Sequence, residues 1–586
     1  MTGDVTLRTS GTPDSVCYIH IQVNDSTRKG ILMTHDTTAD APIFCRQDGT
    51  HTVEWWRDAV VYQVYPRSFA DSNGDGIGDI RGIIRRLDHI GALGVDAVWV
   101  SPFYVSPMAD GGYDVTDYRD IDPMFGTLAD LDDLVAAAHD RSLRLIVDLV
   151  PNHTASNHPW FLEALVSPPE SRARQRYIFR DGKGPDGAEP PNNWTTVRGD
   201  RAWTRVDDGQ WYLHLFNTAQ PDLNWHNQEV HAEFISILRF WLDRGVDGFR
   251  VDVAAGLYKE NGLPDWPYAT FEYSDGKSPM WDKEPVHDVY RAWHRVLAEY
   301  PGDRILIAEA FVQQPERLAR YIRSDEMQQA FNMPFMMAGY NPGALREAID
   351  TSLEVNGAVG ATTSWVLNSH DAIRTVSKFG MPCLSDIPRG IGPHDPQPDV
   401  ALGLRRARAA TLMMLALPGA AYLYQGEELG LPDNTLIPDS ARNDPGFFVS
   451  NGAYAGRDGC RVPIPWIGTG PSLGFNDTGR LWLPQPEDYA KLAVEQQIGV
   501  PGSTLEFYRD ALRLRRDFVL GSGSLSWVTS PEKVLAFDNR TVRVIANLSE
   551  SPVALTAGAD ILLASDEEAV SGGLLHPDHT VWLVHS

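Results

Sequence analysis

Three acidic residues stand where short apolar runs end: Asp252 after Gly248-Phe-Arg-Val, Glu309 after Ile305-Leu-Ile-Ala, and Asp371 close behind Thr363-Ser-Trp-Val-Leu-Asn. Alternate residues of an extended strand share a face, so Arg250 and Asp252 emerge on the same side. A guanidinium there favours the ionised carboxylate, although a buried ion pair with a purely structural role has the same pattern. Glu309 has apolar neighbours, Ile307, Ala308, Ala310 and Phe311, and such desolvation raises a carboxylic acid's pKa. Hydrolysis of a glycosidic bond needs one carboxylate as nucleophile and one carboxylic acid to protonate the leaving oxygen. Asp371, beside His370, adds a third carboxylate able to grip sugar hydroxyls.

Groups so far apart in sequence need a scaffold that gathers strand ends. The spacing predicts strands at residues 59–65, 95–100, 143–150, 248–252, 304–310, 363–368 and 420–424, with helices at 80–93, 128–139, 234–242 and 504–516 between and after them. The third strand is apolar at nearly every position, as in a parallel sheet covered on both faces. Alternation over ~400 residues, with no Gly-rich phosphate fingerprint, predicts an α/β chain folded as a (β/α)8 TIM barrel, whose carboxyl strand ends carry the functional groups. The expected organisation is a leader over 1–54, barrel segments over 55–150 and 223–516, an inserted irregular domain over 151–222 after strand 3, and a C-terminal antiparallel β domain over 517–586. A second irregular stretch, 432–497, follows the last barrel strand. The leader is polar and aperiodic, and Met33 is an alternative start to Met1.

A net charge of −27 over 586 residues argues against nucleic acid or an anionic membrane as a partner and favours neutral or cationic ligands. Seventeen Trp and 20 Tyr offer flat surfaces that suit sugar rings, although core packing also uses them. Cys17, Cys45, Cys383 and Cys460 have no metal-ligand spacing and are too few for a disulfide framework. With no secretory pattern and no apolar run long enough to span a bilayer, the expected location is the cytoplasm, as a monomer or homodimer.

Asp148-Leu-Val-Pro-Asn-His153, Gly248-Phe-Arg-Val-Asp252, Ala308-Glu309 and Asn368-Ser-His-Asp371 resemble, in order and spacing, the signature regions of the α-amylase family (glycoside hydrolase family 13). Gln220-Pro-Asp-Leu-Asn-Trp resembles a further motif of that family. Tyr62-Gln-Val-Tyr-Pro-Arg-Ser-Phe, Gln425-Gly-Glu-Glu-Leu-Gly and Gly456-Arg-Asp-Gly-Cys-Arg-Val-Pro resemble its α-glucosidase and oligo-1,6-glucosidase branch. The resemblance runs from Trp55 to the end of the chain. It implies that Asp252 is the nucleophile and forms a β-linked glucosyl-enzyme. Glu309 would be the acid and then the base that activates water, and Asp371 would stabilise the transition state through the 2- and 3-hydroxyls. By the same resemblance Arg250 holds Asp252, and His153 and His370 donate to that sugar. Asp114 and Arg374 clamp the terminal glucose, which makes the enzyme exo-acting, and Tyr113 is a stacking platform.

The implied activity is a retaining exo-α-glucosidase on maltose-like oligosaccharides or sucrose, with α-1,4 linkages expected. Val253, after the nucleophile, occurs in oligo-1,6-glucosidase-like members and in α-glucosidases alike, so α-1,6 specificity stays open. A transglycosylase or sucrose isomerase on the same machinery is the second reading. A non-catalytic accessory subunit, like the transporter heavy chains, is the third; those commonly lack part of the triad, and all three acids are present here.

The loop from Asp71 to Asp79 places oxygen-bearing side chains at Asp71, Asn73, Asp75 and Asp79, with Gly76 for the turn and the Ile77 carbonyl between. That rhythm is that of an oxygen-coordinated Ca²⁺ or Mg²⁺ loop, though position twelve is Gly82 rather than a bidentate Glu. One structural divalent cation and no organic cofactor are expected; the competing reading is a solvated acidic loop.

Overall fold

The computed structural model describes residues 54–268, 277–382, 390–556 and 558–584. Eight parallel strands stand side by side: β1 (Val60–Val64), β2 (Ala97–Val100), β3 (Arg144–Leu149), β4 (Gly248–Val251), β5 (Ile305–Ala308), β6 (Gln329–Ala330), β7 (Ser364–Val366) and β8 (Ala420–Tyr424). They neighbour one another in the order β6-β5-β4-β3-β2-β1-β8-β7, so the eighth strand returns to the first and the sheet rolls into a nearly closed barrel. Among the described residues no ladder joins β6 to β7, but the Ser364 hydroxyl donates to the Ala330 carbonyl across that seam. Strand β6 has no counterpart among the seven expected from sequence. Two residues are too few to show a period.

Parity divides each strand. Val61, Ala97, Trp99, Ile146, Ile305, Ile307 and Tyr422 fill the barrel interior as one buried cluster. Their neighbours Val60, Val98, Val147, Phe249 and Leu306 pack in the larger core under the helices. Residues at every second position share a face, so the interior series continues to Gln63, Asp148, Arg250, Asp252 and Glu309. Register completes the placement: Arg250 lies opposite Asp148 of β3 and opposite Ile307 of β5.

The covering helices follow their strands: α1 (Ile80–Leu93), α2 (Leu128–His139), α3 (Gln228–Asp243), α4 (Val286–Leu297), α5 (Pro315–Ala319), α6 (Pro342–Ala358), α7 (Val400–Leu415) and α8 (Thr504–Asp517). Several carry built-in start signals. Asp79 caps α1 through the Gly82 amide, and Thr127 with Asp130 forms a reciprocal capping box on α2.

Between β3 and β4 the chain forms a three-stranded antiparallel sheet, Phe179–Asp181, Gln210–Leu213 and Trp203–Arg205, with Gln210–Leu213 in the middle. Trp194, Trp203 and Trp211 pack on Met280 and Trp281 from the segment after β4. Beyond α8, strands β9 (Ser526–Trp527), β10 (Val534–Asn539), β11 (Val542–Asn547), β12 (Ile561–Ala564) and β13 (His579–Val584) form an antiparallel sheet in the order β9-β10-β11-β13-β12. Trp582 and Asn539 tie this sheet to α7 through the carbonyls of Leu412 and Ala416. Among the described residues no helix is long and apolar enough to cross a membrane. The expected leader, apart from Glu54, lies outside the described residues, as do Cys17, Cys45 and Cys383; Cys460 is buried and free.

Candidate active site

Arg250 sits at the centre of the barrel mouth, 2 % exposed, and its guanidinium serves three acids. Nη1 lies 2.6 Å from Asp252 Oδ1 and 2.8 Å from Asp148 Oδ1, and Nη2 lies 2.9 Å from Glu309 Oε2. The Val253 amide also donates to Glu309 Oε2, at 3.1 Å. Sequence alone places Glu309 among apolar groups; the fold brings a cation and an amide to it. To present that amide, Val253 adopts φ 49°, a left-handed conformation costly for a β-branched residue, on the order of 1–3 kcal/mol.

One cation among three buried carboxyl groups does not neutralise them. Burial pushes Asp252 well above the ordinary carboxylate range, and Glu309, Asp148 and Asp371 add to this while Arg250 opposes it. Burial likewise raises Asp148 to about 6, against the pull of Arg250. The sequence expectation that Arg250 keeps Asp252 ionised is thus only half of the balance. The cluster retains a proton at a pH where isolated carboxylic acids have lost theirs.

Asp371 is treated differently. Its Oδ1 accepts from Arg457 Nη1 at 2.9 Å and Arg461 Nη2 at 2.7 Å, both from the long segment after β8. Against partial desolvation, His370, Arg457, Arg461 and Arg250 hold Asp371 far below the usual carboxylate range. Arg457 Nη2 also reaches Asp110 Oδ1 at 2.6 Å, and its Nε pairs with Asp444. Asp110, although buried, is likewise held low, by Arg457 and Arg198.

The histidines line the same mouth. His370 lies between the rings of Tyr65 and Tyr113, with centroids 5.7 and 5.4 Å away and near-parallel planes. Gln63 Nε2 is 2.7 Å from His370 Nδ1, and His370 Nε2 faces the Tyr113 hydroxyl at 2.8 Å and Asp371 at 3.2 Å. Burial drives His370 down to about 3, so it is neutral. His153 is also buried and lowered, with Nε2 at 3.0 Å from the Tyr113 carbonyl and its ring against Phe216.

A family model for the alpha amylase catalytic domain matches residues 63–522. The chain belongs to the alpha-amylase family. Over 522 residues it is 36 % identical to a probable alpha-glucosidase of Rhizobium meliloti (strain 1021), a match covering 85 % of this chain and 90 % of the relative. It is 34 % identical over 558 residues to an oligo-1,6-glucosidase of Parageobacillus thermoglucosidasius, covering 88 % and 94 %. Among solved structures, the alpha-glucosyl transfer enzyme XgtA superposes with a TM-score of 0.79 at 33 % identity, over 91 % of this chain and all of that one. The trehalulose synthase MutB from Pseudomonas mesoacidophila MX-45 superposes with a TM-score of 0.79 at 30 % identity, over the same shares.

Two residues expected at the sugar clamp are engaged by backbone groups. Asp114 is fully buried and accepts from the Ala109 and Asp110 amides at 2.8 and 2.9 Å, so it folds the loop that presents Asp110. Arg374 is 1 % exposed and gives Nη1 to the Gln425 carbonyl at 2.8 Å, behind the strand ends. The acid and cation that meet at the mouth are Asp110 and Arg457. Arg457 stands inside a segment singled out by sequence, after Gly456, whereas Asp110 lies four residues before Asp114 and in no such segment. Only a contact between residues 347 apart distinguishes them from their charged neighbours. Asp148 is visible in its motif, but its role beside Arg250 depends on register.

In the acidic loop, Asp71 accepts from the amides of Asn73, Gly74 and Gly76 at 3.0, 2.6 and 2.8 Å and from Asn476 Nδ2 at 2.8 Å. Asn73 accepts from the Asp75 amide, Asp75 from the Ile77 amide, and Asp79 from Ser72 and Gly82. Among the described residues no three His, Cys, Asp or Glu side chains gather as a metal-holding group. The loop is closed by its own amides.

Proposed function

We propose that this chain is a retaining, exo-acting α-glucosidase that releases terminal α-linked glucose from maltose-like oligosaccharides or sucrose. The observation that carries the reading is the pairing of Asp252 and Glu309 on the two arms of Arg250. Both carboxyl groups contact one guanidinium, and acids gathered so suit the direct attack of a retaining enzyme, whose pair stands about 5 Å apart, rather than a water held between them. Asp252 attacks the anomeric carbon while Glu309 gives its proton to the leaving oxygen. Glu309, now a base, takes a proton from water, whose oxygen displaces Asp252 and regenerates both groups. Asp371, kept ionised by Arg457 and Arg461, accepts from hydroxyls of the same ring. His153 and His370 donate to it, Tyr113 supplies an aromatic wall, and Asp110 with Arg457 closes the pocket behind the terminal glucose.

The likeness to an alpha-glucosyl transfer enzyme and to a trehalulose synthase favours a second reading, transfer of the glucosyl group to a sugar instead of water. Product analysis after incubation with maltose, isomaltose and sucrose separates them. Free glucose from maltose supports hydrolysis of α-1,4 ends, glucose from isomaltose alone assigns α-1,6 specificity, and isomerised or lengthened sugars assign transfer. No turnover of any of the three would overturn both. We also propose a divalent cation, Ca²⁺ or Mg²⁺, on the oxygens of Asp71, Asn73, Asp75, Ile77 and Asp79, stabilising rather than catalytic. Chelation should then lower Tm by several degrees with little loss of activity at 25 °C; an unchanged Tm removes the cation.

A further inference from the structure

A buried lysine outside the catalytic constellation ends in a chain of hydrogen bonds that reaches it. Lys259, 4 % exposed, follows β4 and points back beneath the loop after β3. Its ammonium contacts Asp222 Oδ2 at 2.8 Å and Asn152 Oδ1 at 2.9 Å, and it also donates to the Gly256 carbonyl. Gly256 is needed for this approach, since a Cβ there would lie 3.0 Å from Asn152 Oδ1 and 2.6 Å from a Val253 methyl.

An ammonium has hydrogens and no acceptor, so Lys259 fixes which end of the Asn152 amide is oxygen. The nitrogen end is then committed as well. Asn152 Nδ2 lies 3.2 Å from Asp222 Oδ2, an acceptor, and 3.1 Å from His153 Nδ1. Donation to His153 requires a bare Nδ1, which leaves the imidazole proton on Nε2, facing the Tyr113 carbonyl at 3.0 Å. Gln220 Nε2, 3.1 Å from the same nitrogen, has Asp110 Oδ2 as its acceptor at 3.3 Å. Desolvation pushes the His153 pKa down, which favours the neutral ring over an imidazolium.

We infer that Lys259 and Asn152 are positioning residues that hold His153 as its Nε2–H tautomer, whose proton the Tyr113 carbonyl and an oxygen of the bound sugar share. The inference rests on the proposed glucosidase reading, in which His153 faces that sugar. The relay also explains why a lysine is tolerated in the interior. Asp222, from the end of the segment inserted between β3 and β4, pairs its charge, and the Asn152 and Gly256 oxygens accept from it as well.

The discriminating variant is Asn152→Asp. A carboxylate at that position accepts from His153 Nδ1, moving the proton and leaving Nε2 an acceptor. The variant also sets a second carboxylate beside Asp222, with Lys259 between the two, so its Tm is measured alongside. Kinetics with aryl α-glucoside and its monodeoxy analogues should show a 10- to 100-fold loss of kcat/KM on the parent. That loss should vanish on the one analogue lacking the hydroxyl His153 serves. His153→Ala should show the same selective pattern. Lys259→Met should reproduce it more weakly, and Lys259→Arg should restore part of the loss. An equal loss of N152D on every analogue, or no loss with Tm unchanged, overturns the relay. If H153A itself leaves all substrates untouched, the placement of His153 at the sugar fails instead. Should N152D not fold, K259R against K259M on the same analogues decides the matter by the same pattern.

Discussion

Asp252 and Asp371 are the same residue type at the same end of the same barrel, yet their surroundings drive them in opposite directions. Asp252 shares one guanidinium with Asp148 and Glu309, and burial with these acids pushes it up. Asp371 is about a third exposed and has two guanidiniums, from Arg457 and Arg461, which hold it down. The first arrangement keeps a proton available inside the strand ends. The second guarantees a permanent anion on the opposite wall. Reactions that pass a proton while building positive charge on a sugar ring need both, and here they come from different parts of the chain. The acid-rich side is built from barrel strands β3, β4 and β5, and the arginine-rich side from the irregular segment after β8.

The comparison breaks most completely at Asp252. Replacing it with Ala should lower kcat by about 10⁴-fold or more while circular dichroism and Tm stay near those of the parent. Substantial residual turnover would remove the nucleophile from this side. Glu309→Gln keeps the shape and loses the proton. It should cost about 10²–10⁴-fold on maltose and far less on aryl glucosides with good leaving groups. An equal loss on both substrates would contradict the proton-donor role. The arginine side is sharpened by pairing two variants. Arg457→Met should lower kcat/KM by about 10²-fold, since it releases Asp371 and Asp110 together, and should shift the acid limb of kcat/KM upward as Asp371 becomes easier to protonate. Arg374→Met should act mainly on Tm. If the two exchange behaviours, Arg374 and not Arg457 faces the sugar.

The smallest effect concerns a buried acid outside both walls. Both carboxyl oxygens of Glu427 are buried without a hydrogen-bond partner, and burial raises it to about 8, with Lys378 and Arg374 opposing. Because the folded pKa exceeds the unfolded one near 4.5, the unfolded chain releases this proton first. Stability should therefore fall as pH rises from about 4.5 toward 8 and level off above it. Glu427→Gln should flatten that part of the Tm-against-pH curve with little change in activity at pH 6. A parallel curve would show that Glu427 finds a partner.

Much of the fold is legible in the order of residues. The helical periods at Ile80–Leu93 and Leu128–His139 match the observed helices end to end, because amphipathic spacing and the caps at Asp79 and Thr127 are both written locally. The triad and Arg250 are legible because each lies in a short motif at or just beyond an apolar run. Asp110 and Arg457 are not. Nothing in either segment names its partner, and Asp114, four residues from Asp110, and Arg374, 83 residues from Arg457, carry the same charges. Strand β6 stays hidden because two residues carry no period.

The sequence by itself determined the class of fold, the family and which acids to propose for the chemistry, since strand parity and local motifs depend only on neighbours in the chain. Only the tertiary structure decided which charges meet. It set Asp148 beside Arg250 through strand register, brought Arg457 and Arg461 onto Asp371 from beyond β8, and turned Asp114 inward to fold a loop. Electrostatic partners act through space over a few ångströms, and the distance along the chain between them holds no record of that.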